Sequence, residues 1–135
     1  MALNLGEVFG TDKDLEEEGK WFDIGGEARI KVARFGNKNH KKSLDKLRAP
    51  YKPVILRGGE IPEEANDDII KRSLAESVLV DWDGLVDEKG EPIPYSPDAA
   101  YQAFCQYSDF LDLVSRLALD ASQYRAMMQD ETVKK

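Results

Sequence analysis

The sequence is short of the residues that build most reactive centres. Cys105 is the single cysteine and His40 the single histidine among 135 residues. A lone cysteine excludes an internal disulfide and fits a reducing cytosol. One cysteine with one histidine also excludes a closed zinc site of the usual Cys/His kind. No apolar run approaches the roughly 20 residues that cross a bilayer, so neither a span nor a membrane partner is expected. Met1–Gly19 has no basic start and no long apolar stretch, so no secretory signal is expected there. Internal repeats and low-complexity segments are lacking as well.

What is present is one domain's worth of chain with a hydrophobic fraction of 41%, enough for a single modest core. The net charge of −7 is unevenly spread. Met1–Gly19 holds six acids against one base, and Gly58–Lys135 seventeen acids against seven bases. Between them, Arg29–Arg57 holds ten bases and one acid. Such a block can contact nucleic acid, but no binding motif accompanies it, and pairing with the acidic remainder is the favoured reading.

The chain divides into an acidic, flexible arm over 1–19, a single domain over 20–129 and a polar, flexible tail over 130–135. Lys20–Arg34 reads as a β-hairpin: Trp21, Phe22 and Ile24 are strand formers, Gly25-Gly26 is a turn pair, and Ile30 and Val32 alternate with charge. Asn37–Arg48 reads as a basic helix with Leu44 and Leu47 inward, stopped by Pro50 and Pro53. Tyr51–Ile61 is expected to be a loop. Pro62–Val80 is expected to be a helix, with Ile70, Leu74 and Val78 at i, i+4, i+8. It runs into Val78–Ala100, an acidic corner built on Trp82, Gly84 and the turn Asp87–Gly90. Ser96-Pro97-Asp98 then starts a new helix as cap, first residue and dipole partner. Phe110–Ala121 is the most apolar helix, either central to the core or shared with a partner. Trp21, Trp82 and Tyr95 are the expected structural anchors. The fold class is α+β, an N-terminal hairpin packed on a small bundle of about four helices.

Catalytic patterns are weak. Asp81-x-Asp83-Gly84 places glycine at the fourth position rather than the sixth of a calcium loop. Gly58-Gly59 lacks the Gly-Lys-Ser or Gly-Lys-Thr of a phosphate cradle. No two acids sit in an apolar pocket. His40, among Lys38, Lys41 and Lys42, reads as a surface side chain. Cys105 lacks a basic activator and reads as a small core or boundary residue. No enzyme, cofactor or metal is expected.

Three stretches together resemble the tail assembly chaperones of long-tailed bacteriophages. They are Gly19-Lys20-Trp21 leading to Arg29–Asn37, the run Val78–Leu85 followed by Gly90–Ser96, and the spaced series Phe110, Val114, Ala118, Asp120 and Tyr124. The resemblance covers roughly Gly19–Arg125. It implies a non-enzymatic protein of the bacterial host cytoplasm, absent from the finished virion, that binds the tape measure protein. It also implies help in recruiting major tail tube protein, through a longer form made by ribosomal frameshifting. The candidate partner-binding residues are Phe110, Leu111, Val114 and Leu117, with Met127 and Met128 as an adaptable surface. Self-association through the hairpin edge and the opposed charge blocks is a further expectation. The alternative function is a nucleic-acid-associated protein using Arg29–Arg57.

Overall fold

The computed structural model describes residues 2–125. The fold is α+β, a three-stranded antiparallel sheet against a helical layer. The hairpin forms as its sequence dictates, with β1 over Lys20–Gly25 and β2 over Ala28–Val32. Its turn needs positive φ at two successive positions, 121° at Gly25 and 56° at Gly26, which only glycine adopts freely. Ile30 and Val32 of β2 are fully buried, and Phe22 and Ile24 of β1 pack beside them.

The strand order β1-β2-β3 makes β2 central, because Leu79–Asp83 is a third strand, β3. This corrects the expected helix over Pro62–Val80. The helix, α5, runs over Glu63–Ser77 and gives way to extended chain. The register places Lys31 opposite Asp81 but Val32 opposite Leu79, so Val80 is an extra residue in a β-bulge. The bulge brings Leu79 and Trp82, three residues apart, onto the buried side. Three is a helical spacing, so this strand continues the apolar period of the helix before it. β3 also covers one edge of the hairpin, leaving β1 and β3 as the outer edges.

Four helices form the bundle: α3 (Lys38–Arg48), α5, α6 (Pro97–Gln106) and α7 (Ser108–Leu119). The core joins Ile30 and Val32 of the sheet to Leu74, Ala75 and Val78 around α5, Ala100 and Phe104 of α6, and Val114 and Ala118 of α7. Ser96 caps α6 as its sequence requires, its hydroxyl accepting from the Ala99 amide at 3.0 Å. The expected loop over Tyr51–Ile61 instead holds a short helix, α4 (Lys52–Leu56), reached through a 3-10 turn at Ala49–Tyr51. Pro50 and Pro53 stand in the first turns of these two elements, where a missing N–H costs no hydrogen bond.

The acidic arm holds two short helices, α1 (Leu5–Phe9) and α2 (Lys13–Glu18). The second makes contacts with the domain. Its Glu16 is buried, accepts from Thr11 and Arg34, and makes an ion pair with Arg34 at 2.9 Å. Burial raises the Glu16 pKa, but the bonds from Thr11 and Arg34 outweigh it and hold the carboxyl below its usual value. The Asp12 amide donates to Tyr124 O at 2.8 Å, and the buried Tyr124 hydroxyl donates to Val32 O at 3.0 Å. The expected tail over 130–135 lies outside the described residues, as does the end of the expected 20–129 domain.

His40 corrects a second expectation, since it is 1% exposed. On α3 the lysines 38, 41 and 42 face solvent, while His40, Ser43, Leu44 and Leu47 share the opposite face at i, i+3, i+4, i+7. The imidazole is fixed from both sides. Its Nδ1 accepts from the Gly36 amide at 2.9 Å, and its Nε2 lies 3.3 Å from Ser73 Oγ. Ser73 Oγ donates onward to Ile70 O at 2.8 Å, which leaves Nε2–H to donate to Ser73 and selects the neutral tautomer. Burial lowers the His40 pKa from 6.5, and the Arg48 charge lowers it further.

A neutral histidine in the folded state and a protonated one in the unfolded chain give a definite sign. The contribution is fully present above about pH 6.5 and is lost as pH falls below it, at no more than about 1.4 kcal/mol per pH unit. Urea unfolding at pH 7.5 and 5.5 is expected to show lower stability at the acid value. His40→Gln is expected to flatten that difference; an unchanged difference would show that other groups carry it.

Candidate partner-binding groove

The side chains with shifted titration do not make a reactive centre. Tyr101 donates to Asp68, whose other oxygen accepts from Arg72 Nε at 3.1 Å, and the Arg72 guanidinium lies 4.0 Å from the Tyr101 ring centre. The bond to Asp68 pushes the Tyr101 hydroxyl up to about 12, with Cys105 and burial adding to it. These groups clamp α5 to α6 at a half-open surface. Cys105 itself is exposed, because Ala100 and Phe104 take the inward face of α6. Among the described residues, no three His, Cys, Asp or Glu side chains group as a metal site, and no helix is long and apolar enough to cross a membrane.

A groove lies beside the Trp82 corner. Leu85–Ile93 folds back as a small ribbon. The Ile93 amide donates to Leu85 O at 2.9 Å, and the Asp87 amide to Glu91 O at 2.8 Å. Asp87 Oδ1 accepts from the Lys89 and Glu91 amides at 2.8 and 3.0 Å, closing the turn over Gly90, whose φ is 82°. Trp82 fastens this ribbon to the sheet. Its Nε1 donates to Ile93 O at 2.7 Å, and its ring meets the Tyr95 ring edge-on at 5.2 Å. Tyr95 in turn donates to Leu79 O at 2.6 Å; burial, with Asp81 nearby, pushes its hydroxyl up to about 12.

Between ribbon, sheet and the α6–α7 junction lies a cavity of about 740 Å³, bordered by Ile24, Trp82, Leu85, Val86, Tyr107 and Phe110 among others. Its lining is chiefly apolar, and Asp87, Glu88 and Lys89 stand on its border. The Tyr107 hydroxyl donates to Glu88 Oε1 at 3.2 Å, bridging helix junction and ribbon. Val86 is 55% exposed and Tyr107 46% exposed, so apolar surface is open to a partner here.

The sequence-selected partner residues separate. Phe110 is half-buried, lines the groove and lies against Phe104 with ring centres 5.7 Å apart. Leu111 and Leu117 are half-buried and pack on the core. Val114 is 0% exposed, so a partner cannot reach it without opening the core. Met127 and Met128 lie outside the described residues. Trp21 is half-buried on the outer sheet face, where Arg29 and Lys31 stand 4.5 and 6.0 Å from its ring centre. Sequence reasoning missed Leu85, Val86, Ile24 and Tyr107. The apolar pairs flanking Asp87–Gly90 were the available signal, since they repeat in mirror order as a hairpin does.

The family model described as YdaY prophage protein matches residues 35–135. The chain belongs to this prophage protein family. The YdaY match takes in the bundle, β3, the ribbon and most of the groove, and begins after the hairpin that supplies Ile24. It establishes a phage association. No curated protein and no solved structure matches the chain.

Trp82→Ala removes the ring joining sheet to ribbon and leaves the Ile93 carbonyl without its donor. It is expected to cost about 3–5 kcal/mol. Urea denaturation checks this; a loss below about 1 kcal/mol would show that the ring does not anchor the corner.

Proposed function

We propose that this YdaY-family protein is a phage tail assembly chaperone that holds a helix of the tape measure protein in the groove between the Leu85–Ile93 ribbon and α6–α7. The observation that carries the reading is an open apolar groove with acids on its border, in a chain of prophage family. A tape measure protein is long and helical, and its apolar stripes need cover until tube subunits enclose them. A helix laid in a groove supplies that cover with a few apolar anchors. Asp87 and Glu88 favour a stripe flanked by lysine or arginine. Recruitment of major tail tube protein through a longer frameshifted form, action in the host cytoplasm and absence from the finished virion belong to the same proposal. So does a non-enzymatic role.

The nucleic-acid alternative finds less support. On the outer sheet face Arg29 pairs with Asp83 at 3.6 Å, and Lys31 stands opposite Asp81 in the register. Much of the basic block on the sheet is therefore matched by acid, while the lysines of α3 remain exposed.

Two substitutions separate partner binding from folding. Val86→Asp places a charge on an exposed position and is expected to keep the wild-type circular dichroism spectrum. It is expected to weaken co-purification with the tape measure protein at least tenfold. Leu111→Asp forces a charge against the core and is expected to unfold the chain. A folded Val86→Asp protein that binds the tape measure protein normally would overturn the groove assignment.

A further inference from the structure

Two short helices, α1 and α4, bury none of their own residues, and both are apolar. In the arm, Leu3, Leu5, Val8 and Phe9 are 65%, 68%, 38% and 58% exposed, and α1 buries no residue. In α4, Val54, Ile55 and Leu56 are 37%, 47% and 85% exposed, and α4 likewise buries none. Among the described residues, seven of the eleven exposed large hydrophobics thus belong to two short stretches that do not line the groove. Apolar side chains gathered in this way mark contact surfaces rather than random exposure.

Their charges are opposite. Lys46–Arg57, which ends in α4, carries Lys46, Arg48, Lys52 and Arg57 and no acid. The arm continues from α1 into Asp14, Glu17 and Glu18, all exposed, with Lys13 as its single base. Each segment therefore offers what the other needs, an apolar contact bordered by the opposite sign. We propose that α1 of one copy docks on α4 of a second copy, with Asp14, Glu17 and Glu18 facing the basic elbow Lys46–Arg57. The exchange is reciprocal, so two copies make two equal contacts and the assembly closes. Each contact is small, and the association is accordingly weak and salt-sensitive.

Sedimentation of the full chain from micromolar to several hundred micromolar in low salt tests the proposal. Wild type is expected to pass from monomer to dimer, with the transition moving to higher concentration in 0.5 M salt. Leu5→Asp and Leu56→Asp, both at exposed positions, are each expected to stay monomeric with unchanged circular dichroism. Mixed together, the two variants are expected to associate again, because one keeps an intact arm and the other an intact elbow. A monomeric wild type overturns the proposal. So does association of either variant alone, which would mean elbow-to-elbow or arm-to-arm contact, or a mixture that stays monomeric while wild type dimerises. If monomeric wild type binds anionic lipid vesicles and Leu56→Asp does not, the elbow serves a membrane surface and the arm contact is likewise overturned.

Discussion

The indole of Trp82 is gripped at both its N–H and its ring, and the groove exists because of that grip. Its N–H is spent on Ile93 O, which holds the ribbon in place. Its ring meets Tyr95, whose hydroxyl returns to Leu79 O on the same strand. A buried indole without an acceptor would be costly, and a ribbon of nine residues has too little core to fold alone. Each therefore depends on the other. The open apolar surface at Val86 and Tyr107 is displayed on something rigid, as a binding surface with little ordering cost requires.

A second set of constraints ties the hairpin region to the helices through buried polar groups rather than apolar area. Asn37 caps α3, its Oδ1 accepting from the His40 amide, while its Nδ2 donates to Arg34 O and Ser77 O. His40 bridges Gly36 and Ser73. Among the described residues, no buried side-chain nitrogen or oxygen lacks a partner. Such a network fixes one arrangement of α3 on α5, because shifting either helix would strand several donors at once.

Legibility in the sequence followed the length and regularity of each local signal. The hairpin, the Ser96 cap and the apolar helix near 110 were readable because period, turn glycine and capping serine agreed with the final packing. The strand at Leu79–Asp83 was not, since its bulge at Val80 spaces inward residues as a helix would. His40 was misjudged by its lysine neighbours, although the four-residue period through Leu44 already placed it inward. The prolines near α4 follow the end of α3 at Arg48 as expected, but they also occupy the first turns of the next two elements, which the expected loop left out. Of the site, Phe110 was legible from its place on an apolar helix. Val114 was selected for the same reason and proved to be core, because hydrophobicity alone does not distinguish a helix's inner face from its outer one. The ribbon wall arises from tertiary pairing across a turn and had no helical signature to find.

The bond from the Tyr124 hydroxyl to Val32 O, with the Asp12 amide held by Tyr124 O, has a consequence for synthesis of the chain. The hairpin is finished early in translation, yet its inner strand waits nearly fifty residues for β3 and more than ninety for Tyr124. Contacts so distant in sequence close slowly, and a lone hairpin is marginal in water. A nascent chain is thus expected to keep a loosely held hairpin until β3 has left the ribosome, and to tie the arm to it only once Tyr124 follows. Tyr124 then joins the arm to the inner strand of the completed sheet, which makes it the latch of co-translational folding.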